Sequence, residues 1–461
     1  MVRISHLPVI FLFFATLLSG SFAHAQWTDV GPGMVINPDS PRNFFSISPV
    51  GEEGLWAAPV HPIFQDVREL ARTSDGGNTW DILTLPETDG NHLPVRIQAM
   101  SDAEAWVLAL RYPSPGRAKL FHTADSGQTW ADVPGPFNEQ GKGVQNIHFF
   151  NALEGIVFGS PRTGSPSVDM IKIFRTADGG DTWQELFDPQ VPAPIQGDSY
   201  FLLSGNDTYA AVSDTLWFVT TENNIYRTPD RGASWQRFPV DLPGSSTVAG
   251  LASVAFRDAL QGMIVSFQPQ QAVVTVNGGS SWTQISAPES PTARCVQYIP
   301  GTEGTYVVTD GYEGNSQEIA ITFDHGQTWE SWEGNPGMNC VAFTSLTSGW
   351  GGANVNASSG GIFRWEADLG TILNVKEEPE LEAVIFPNPA RDQIQVKTTG
   401  RVFTDVRAEI FNLSGSKVEE QHTAGYGEFI TVDIHNLTQG MYILVLTSGA
   451  EVINAKFVKT D

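Results

Sequence analysis

Little in this chain would staple or anchor it. Only two cysteines occur among 461 residues, which excludes a disulfide-held scaffold. They sit in matching strings, Cys295-Val296-Gln297-Tyr298 and Cys340-Val341-Ala342-Phe343. Export permits a bridge between them. Repeat symmetry, however, turns both side chains in the same rotational sense, and a disulfide needs converging Cβ vectors. Two buried thiols are the favoured reading, with the bridge left open. Basic residues are scarce, 26 against 51 acidic ones, for a formal net charge of −25. Such a surface repels phosphate backbones and excludes nucleic acid as a partner. The nine histidines are scattered without a ligand-like cluster, so no metal and no cofactor is expected. The chain also lacks a His-Glu-x-x-His pair, a G-x-S-x-G nucleophile turn and a phosphate-cradling loop. After the first 25 residues no apolar run approaches the length of a transmembrane helix. Helix signals are nearly absent, while 45 glycines and 29 prolines suit many short strands and turns.

What the chain does have is six copies of one eight-residue motif. They are TSDGGNTW at 73–80, TADSGQTW at 123–130, TADGGDTW at 176–183, TPDRGASW at 228–235, TVNGGSSW at 275–282 and TFDHGQTW at 322–329. The closing tryptophans are 50, 53, 52, 47 and 47 residues apart, a period that marks stacked supersecondary units. Asp75, Asp125, Asp178, Asp230, Asn277 and Asp324 each open a tight turn by bonding backbone N–H groups further on. The glycine two positions later supplies a positive φ that other residues resist. Trp80, Trp130, Trp183, Trp235, Trp282 and Trp329 then lead into a strand as buried pegs. Ser replaces Thr before the Trp in two copies and keeps the hydroxyl.

The motif closely resembles the Asp-box, or bacterial neuraminidase repeat. The resemblance implies a turn between the third and fourth strands of a propeller blade, on the rim away from the usual ligand face. Upstream of the motifs lie seven hairpin patterns, at 43–59, 97–110, 144–159, 209–220, 251–267, 295–310 and 340–352. The seventh continues into a third strand at 361–365 without the motif, and its fourth strand is missing there. Gln26-Trp27-Thr28-Asp29-Val30 resembles Gln128-Thr129-Trp130-Ala131-Asp132-Val133, which follows the second motif. The expectation is an all-β, seven-bladed β-propeller over 26–368, its last blade completed by the N-terminal strand; six or eight blades are the alternatives. Closure of this kind removes exposed sheet edges.

The ends of the chain read differently. Residues 1–25 have the charged start, apolar run and Ala23-His24-Ala25 site of a signal peptide. An acidic linker covers 369–381, and residues 382–461 alternate as the strands of a small β-sandwich. Phe386-Pro387-Asn388-Pro389, the strand at 409–413 before Ser414-Gly415, Leu437 with Gly440-Met441-Tyr442, and the basic terminus resemble the type IX secretion C-terminal sorting domain. That resemblance implies contact with the type IX machinery, periplasmic transit and a secreted or outer-membrane-surface product, with the domain cleaved or retained.

Ligands of propellers bind most often on the face opposite such turns. There the loops between second and third strands bring Arg111, Tyr112, Arg117, Arg162, Asp310, Tyr312 and Glu313, residue types suited to carboxylates or sugar rings. Sialidases share the repeat but also need an Arg-Ile-Pro segment; here Arg96-Ile97 is followed by Gln98. The layout resembles photosystem II assembly factor-like propellers and, more distantly, sortilin. It is read as a monomeric binding module for an extracellular protein or glycan, without catalysis. The alternative is a xyloglucanase-like glycoside hydrolase using two carboxylates, for which Asp66, Asp169 and Asp310 are candidates.

Overall fold

The structure is a computed structural model of the full chain. It describes residues 27–32, 43–60, 68–86, 91–112, 117–160, 170–193, 209–240, 252–267, 270–288, 295–309, 319–332, 336–353, 359–369, 383–398, 405–412, 417–423, 425–426, 429–448 and 451–460. Residues 1–25, where a signal peptide is expected, residues 370–381, where a linker is expected, and Asp66, Asp169, Arg162, Asp310, Tyr312 and Glu313 lie outside them. The chain forms two compact units, Met1–Leu369 and Gly370–Asp461.

Among the described residues, the first unit holds seven four-stranded antiparallel sheets. The first is Asn43–Val50, Gly54–Val60, Glu69–Thr73 and Asp81–Thr84; the second is Asn91–Ala99, Ala105–Tyr112, Ala118–Thr123 and Ala131–Val133. The third is Asn146–Phe149, Gly155–Gly159, Lys172–Thr176 and Gln184–Glu185; the fourth is Tyr209–Val212, Thr215–Val219, Asn224–Thr228 and Gln236–Pro239. The fifth is Ala252–Phe256, Gly262–Phe267, Gln270–Thr275 and Thr283–Ile285; the sixth is Cys295–Tyr298, Tyr306–Thr309, Ile319–Thr322 and Glu330–Trp332. The seventh joins Met338–Phe343, Gly349–Ala353 and Ile362–Trp365 to Trp27–Asp29 from the other end of the chain. This is the all-β propeller architecture.

Second strands are covered on both faces by neighbouring sheets, so they read as unbroken apolar runs rather than alternating ones. Gly155–Gly159 and Thr215–Val219 are buried at every position. Outermost strands are short and polar because one edge meets solvent, as in Gln184–Glu185. Tryptophans of the second strands reach forward into the next sheet. Trp56 donates to Ser101 O at 3.3 Å, and Trp106 stacks on Phe149 at 4.0 Å. Trp217 stacks on Phe256 at 3.7 Å and donates to Gly278 O at 2.9 Å. Third-strand arginines latch the same way: Arg72 Nε donates to Asp102 O at 2.8 Å and Arg175 Nε to Arg231 O at 3.0 Å.

The six turns share one bonding pattern. In the third, Thr176 Oγ1 donates to Asp178 Oδ1 at 2.7 Å and accepts from Gly180 N–H at 2.9 Å. The Thr182 amide donates to Asp178 Oδ1 at 2.9 Å and its hydroxyl to Oδ2 at 2.5 Å. The Thr182 hydroxyl, then its amide, then the Thr176 hydroxyl hold the Asp178 carboxyl down at about 2. In the fifth turn the polarity reverses: Asn277 Nδ2 donates to Ser281 Oγ at 2.8 Å, since an amide nitrogen has no lone pair to accept with. Two successive residues of each turn have positive φ. The second is glycine throughout, at φ 86°, 81°, 90°, 81°, 89° and 82° for Gly77, Gly127, Gly180, Gly232, Gly279 and Gly326.

The N-terminal strand pairs antiparallel with the seventh sheet: Trp27 opposite Trp365, Thr28 opposite Arg364 and Asp29 opposite Phe363. Val30 N–H donates to Ile362 O at 3.0 Å, and Asp29 Oδ2 accepts from Gly360 N–H at 2.9 Å. Trp27 meets Phe343 and Trp365 edge-on at 5.8 and 5.2 Å. The strand also reaches the first sheet, where Trp80 Nε1 donates to Val30 O at 2.7 Å. Phe44, Leu55 and Ala71 of the first sheet share one core cluster with Trp350 and Ile362 of the seventh, so first and last sheets are neighbours. Cys295 and Cys340 are both buried thiols.

The second unit contains two sheets. One orders Ala383–Phe386, Gln393–Thr398, Phe429–Asp433 and Gly425–Tyr426; the other orders Lys417–Thr423, Val406–Asn412, Gly440–Ser448 and Glu451–Lys459. Inward residues of both, including Ile394, Val396, Ile410, Val432, Leu444 and Phe457, form one buried cluster. Alternation produces this two-layer packing: along Val406–Asn412, Val406, Ala408 and Ile410 are buried while Arg407 between them is exposed.

Candidate functional site

The face opposite the six turns carries the connections from second to third strands. In the second sheet the Arg111 N–H donates to Arg117 O at 3.2 Å, so this connection brings the two arginines together. Arg117 Nε donates to the neutral Gln140 Oε1 at 3.3 Å. Gln140 is held there by a 3₁₀ turn at Pro136–Asn138, whose Phe137 is fully buried as an anchor. Among the described residues no carboxylate pairs with Arg111 or Arg117. Tyr112 ends the same strand, opposite Asn91, and its side chain lies outside the described residues. Among the described residues, carboxylates nearby are engaged by lysines: Asp132 by Lys119 at 2.6 Å, Glu139 by Lys142 at 3.1 Å and Glu185 by Lys172 at 3.2 Å.

A second feature lies where the innermost strands converge. A cavity of about 240 Å³ is lined by Ile47, His148, Tyr209, Val254, Gln297 and Ala342, each from a different sheet. Burial pushes the His148 imidazole down to about 4, so it is neutral at ordinary pH. Tyr209 and Phe150 meet its ring edge-on at 5.9 and 4.7 Å. Tyr209 donates its hydroxyl to Ile147 O at 3.3 Å. The described lining thus carries no charged group. Its residues escape sequence reasoning because each stands alone in a separate repeat. Among the described residues no group of three or more His, Cys, Asp or Glu is placed to hold a metal ion. Nor is any helix long and apolar enough to cross a membrane.

Residues 384–460 match the family of secretion system C-terminal sorting domains. A type IX sorting domain of this kind indicates export and a cell-surface or secreted location. The repeat region is similar to the chloroplastic photosystem II stability/assembly factor HCF136 of Oryza sativa subsp. japonica, 24% identical over 37% of this chain and 36% of the relative. It is also similar to a xyloglucanase of Paenibacillus sp., 23% identical over 47% of this chain and 23% of that enzyme. The matches thus span about a third or less of these relatives' lengths. The solved structure described as YCF48 bound to D1 peptide superposes with a TM-score of 0.52 at 16% identity, covering 75% of this chain and 98% of that one. That likeness shows the propeller fold.

Proposed function

We propose that this protein is a secreted, surface-displayed propeller that binds an extracellular protein or glycan on the face opposite its six turns, without catalysis of its own. The observation that carries this reading is the pair Arg111 and Arg117: two cations held together at one connection, without a carboxylate partner among the described residues. In a chain with a net charge of −25, unneutralised guanidinium groups fit recognition of an anionic group, which they bind in bidentate fashion. The named relatives include an assembly factor and a glycosidase, so binding and hydrolysis both need a direct test. The lysine pairings of Asp132 and Glu139 support binding, because those carboxylates already serve as internal counter-ions. The test applies the full chain to glycan and protein arrays and measures reducing-end release from the retained glycans. Retention without new reducing ends is expected. Release that tracks the protein's concentration overturns the reading in favour of a hydrolase.

A further inference from the structure

Lysine is distributed very unevenly here. Only three lysines occur in the first 375 residues, Lys119, Lys142 and Lys172, although the chain has 461 residues in all. The fold brings all three to one place, the junction of the second and third sheets on the face opposite the turns. A chain of contacts connects them to the arginines. Arg111 bonds to Arg117 through the backbone, and Arg117 bonds to Gln140. The turn around Gln140 is closed by the Lys142 N–H donating to Glu139 O at 3.1 Å. Lys142 and Lys172 then share Glu185 at 3.6 and 3.2 Å. Lys119, beside Arg117 on its strand, pairs with Asp132 at 2.6 Å. Five cations thus face three paired carboxylates, in a protein whose acids outnumber its bases about two to one.

An aromatic ring completes the patch. Phe187 is 61% exposed, the most exposed phenylalanine among the described residues. Phe174 stands opposite Glu185, and the Leu186 N–H donates to Ile173 O at 2.9 Å. One further step along that ladder sets Phe187 level with Lys172. Asp188 follows it in the chain. An exposed flat ring beside an ammonium group fits a pyranose that carries a carboxylate: the ring face covers the sugar's C–H face while lysine and arginine take the carboxylate. A flexible acidic peptide has no need of the ring.

We propose that this junction binds an acidic polysaccharide of the uronate type, with Phe187 as the stacking platform and Arg111, Arg117, Lys142 and Lys172 as carboxylate ligands. This names the ligand class of the binding module inferred above and rests on that reading. Binding weakens as salt rises, because the cations stand at the surface and are screened.

The test uses the full chain with three probes: polygalacturonate, its fully methyl-esterified form and poly-glutamate. The acid polysaccharide is expected to bind about tenfold or more tighter than the ester, the value of one charge-assisted contact. Phe187→Ala is expected to weaken polygalacturonate about tenfold and to leave poly-glutamate unchanged. Lys172→Gln weakens both polyanions. Phe187 is solvent-exposed, so an unchanged melting temperature for its variant is the check on folding. Equal affinity for acid and ester, or a Phe187→Ala chain that binds polygalacturonate as well as the parent, overturns the proposal. Array binding of some other ligand without polygalacturonate binding also overturns it while leaving the module reading intact. Reducing-end release from bound polygalacturonate overturns the module reading alone.

Discussion

Replacing Gly77 by alanine isolates the two physical demands on the turn glycines. Gly77 has φ 86°, and a Cβ built on it lies 2.7 Å from Val30 Cβ of the N-terminal strand. Gly180 has nearly the same φ, 90°, but its Cβ comes no nearer than 3.1 Å to a neighbour, Trp106 Cη2. Both substitutions incur the left-handed backbone cost, about 1–2 kcal/mol. Gly77→Ala adds an overpacking cost of about 1–3 kcal/mol against a strand that has no room to shift without breaking its bond to Trp80. All 13 tryptophans lie at or before position 365, so their fluorescence follows the first unit alone. At about 2 °C per kcal/mol for a unit of this size, Gly77→Ala lowers the melting temperature by about 4–10 °C and Gly180→Ala by about 2–4 °C. Ser126→Gly provides the opposite sign: Ser126 already sits at φ 61°, and glycine there gains about 1 kcal/mol. Equal shifts for the two alanine variants would refute the close packing of Val30 on the first turn. No shift in either would refute the turn geometry itself.

Two further outcomes follow from the same contacts. The hydroxyls and amides of their own turns depress Asp75, Asp125 and Asp178, and bonding also outweighs burial at Asp230 and Asp324. A carboxylate with a lowered folded value stabilises fully above its unfolded value, near 3.8, and loses that contribution as pH falls through the folded one. Thermal stability of the first unit is therefore expected to fall between about pH 4 and 2, and Asp178→Asn to make that fall shallower. Trp217→Ala removes a fully buried ring stacked on Phe256 and is expected to cost about 3–5 kcal/mol, read as a tryptophan-fluorescence melting shift of about 6–10 °C.

The repeat made much of the fold legible, because its glycine and aspartate positions answer to backbone geometry that few residues satisfy. The kinship of the segments at 26–30 and 128–133 pointed to the pairing now seen between Trp27 and Trp365. Several strands of the second unit left a weaker trace. Lys417–Thr423 reads as a solvated charged stretch because it is an outer strand with no fully buried position. Gly425–Tyr426 is too short to show a period. On the face opposite the turns, Arg111 and Arg117 were visible because they flank one connection. Lys142, Lys172 and Phe187 were not, since the junction is assembled from two sheets and the chain between them. No local pattern marks residues that become neighbours only when blades pack side by side.

Everything in the first unit depends on the N-terminal strand closing the ring of sheets. Thr28 and Arg364 are direct partners across that seam. Opposed residues of an antiparallel pair stand close enough for a disulfide. Mild oxidation of the full chain carrying Thr28→Cys and Arg364→Cys, followed by peptide mass analysis, reads the seam directly. An intramolecular cross-link between positions 28 and 364 is expected in the folded protein. A folded chain in which these two thiols stay reduced, or join only between molecules, would contradict it.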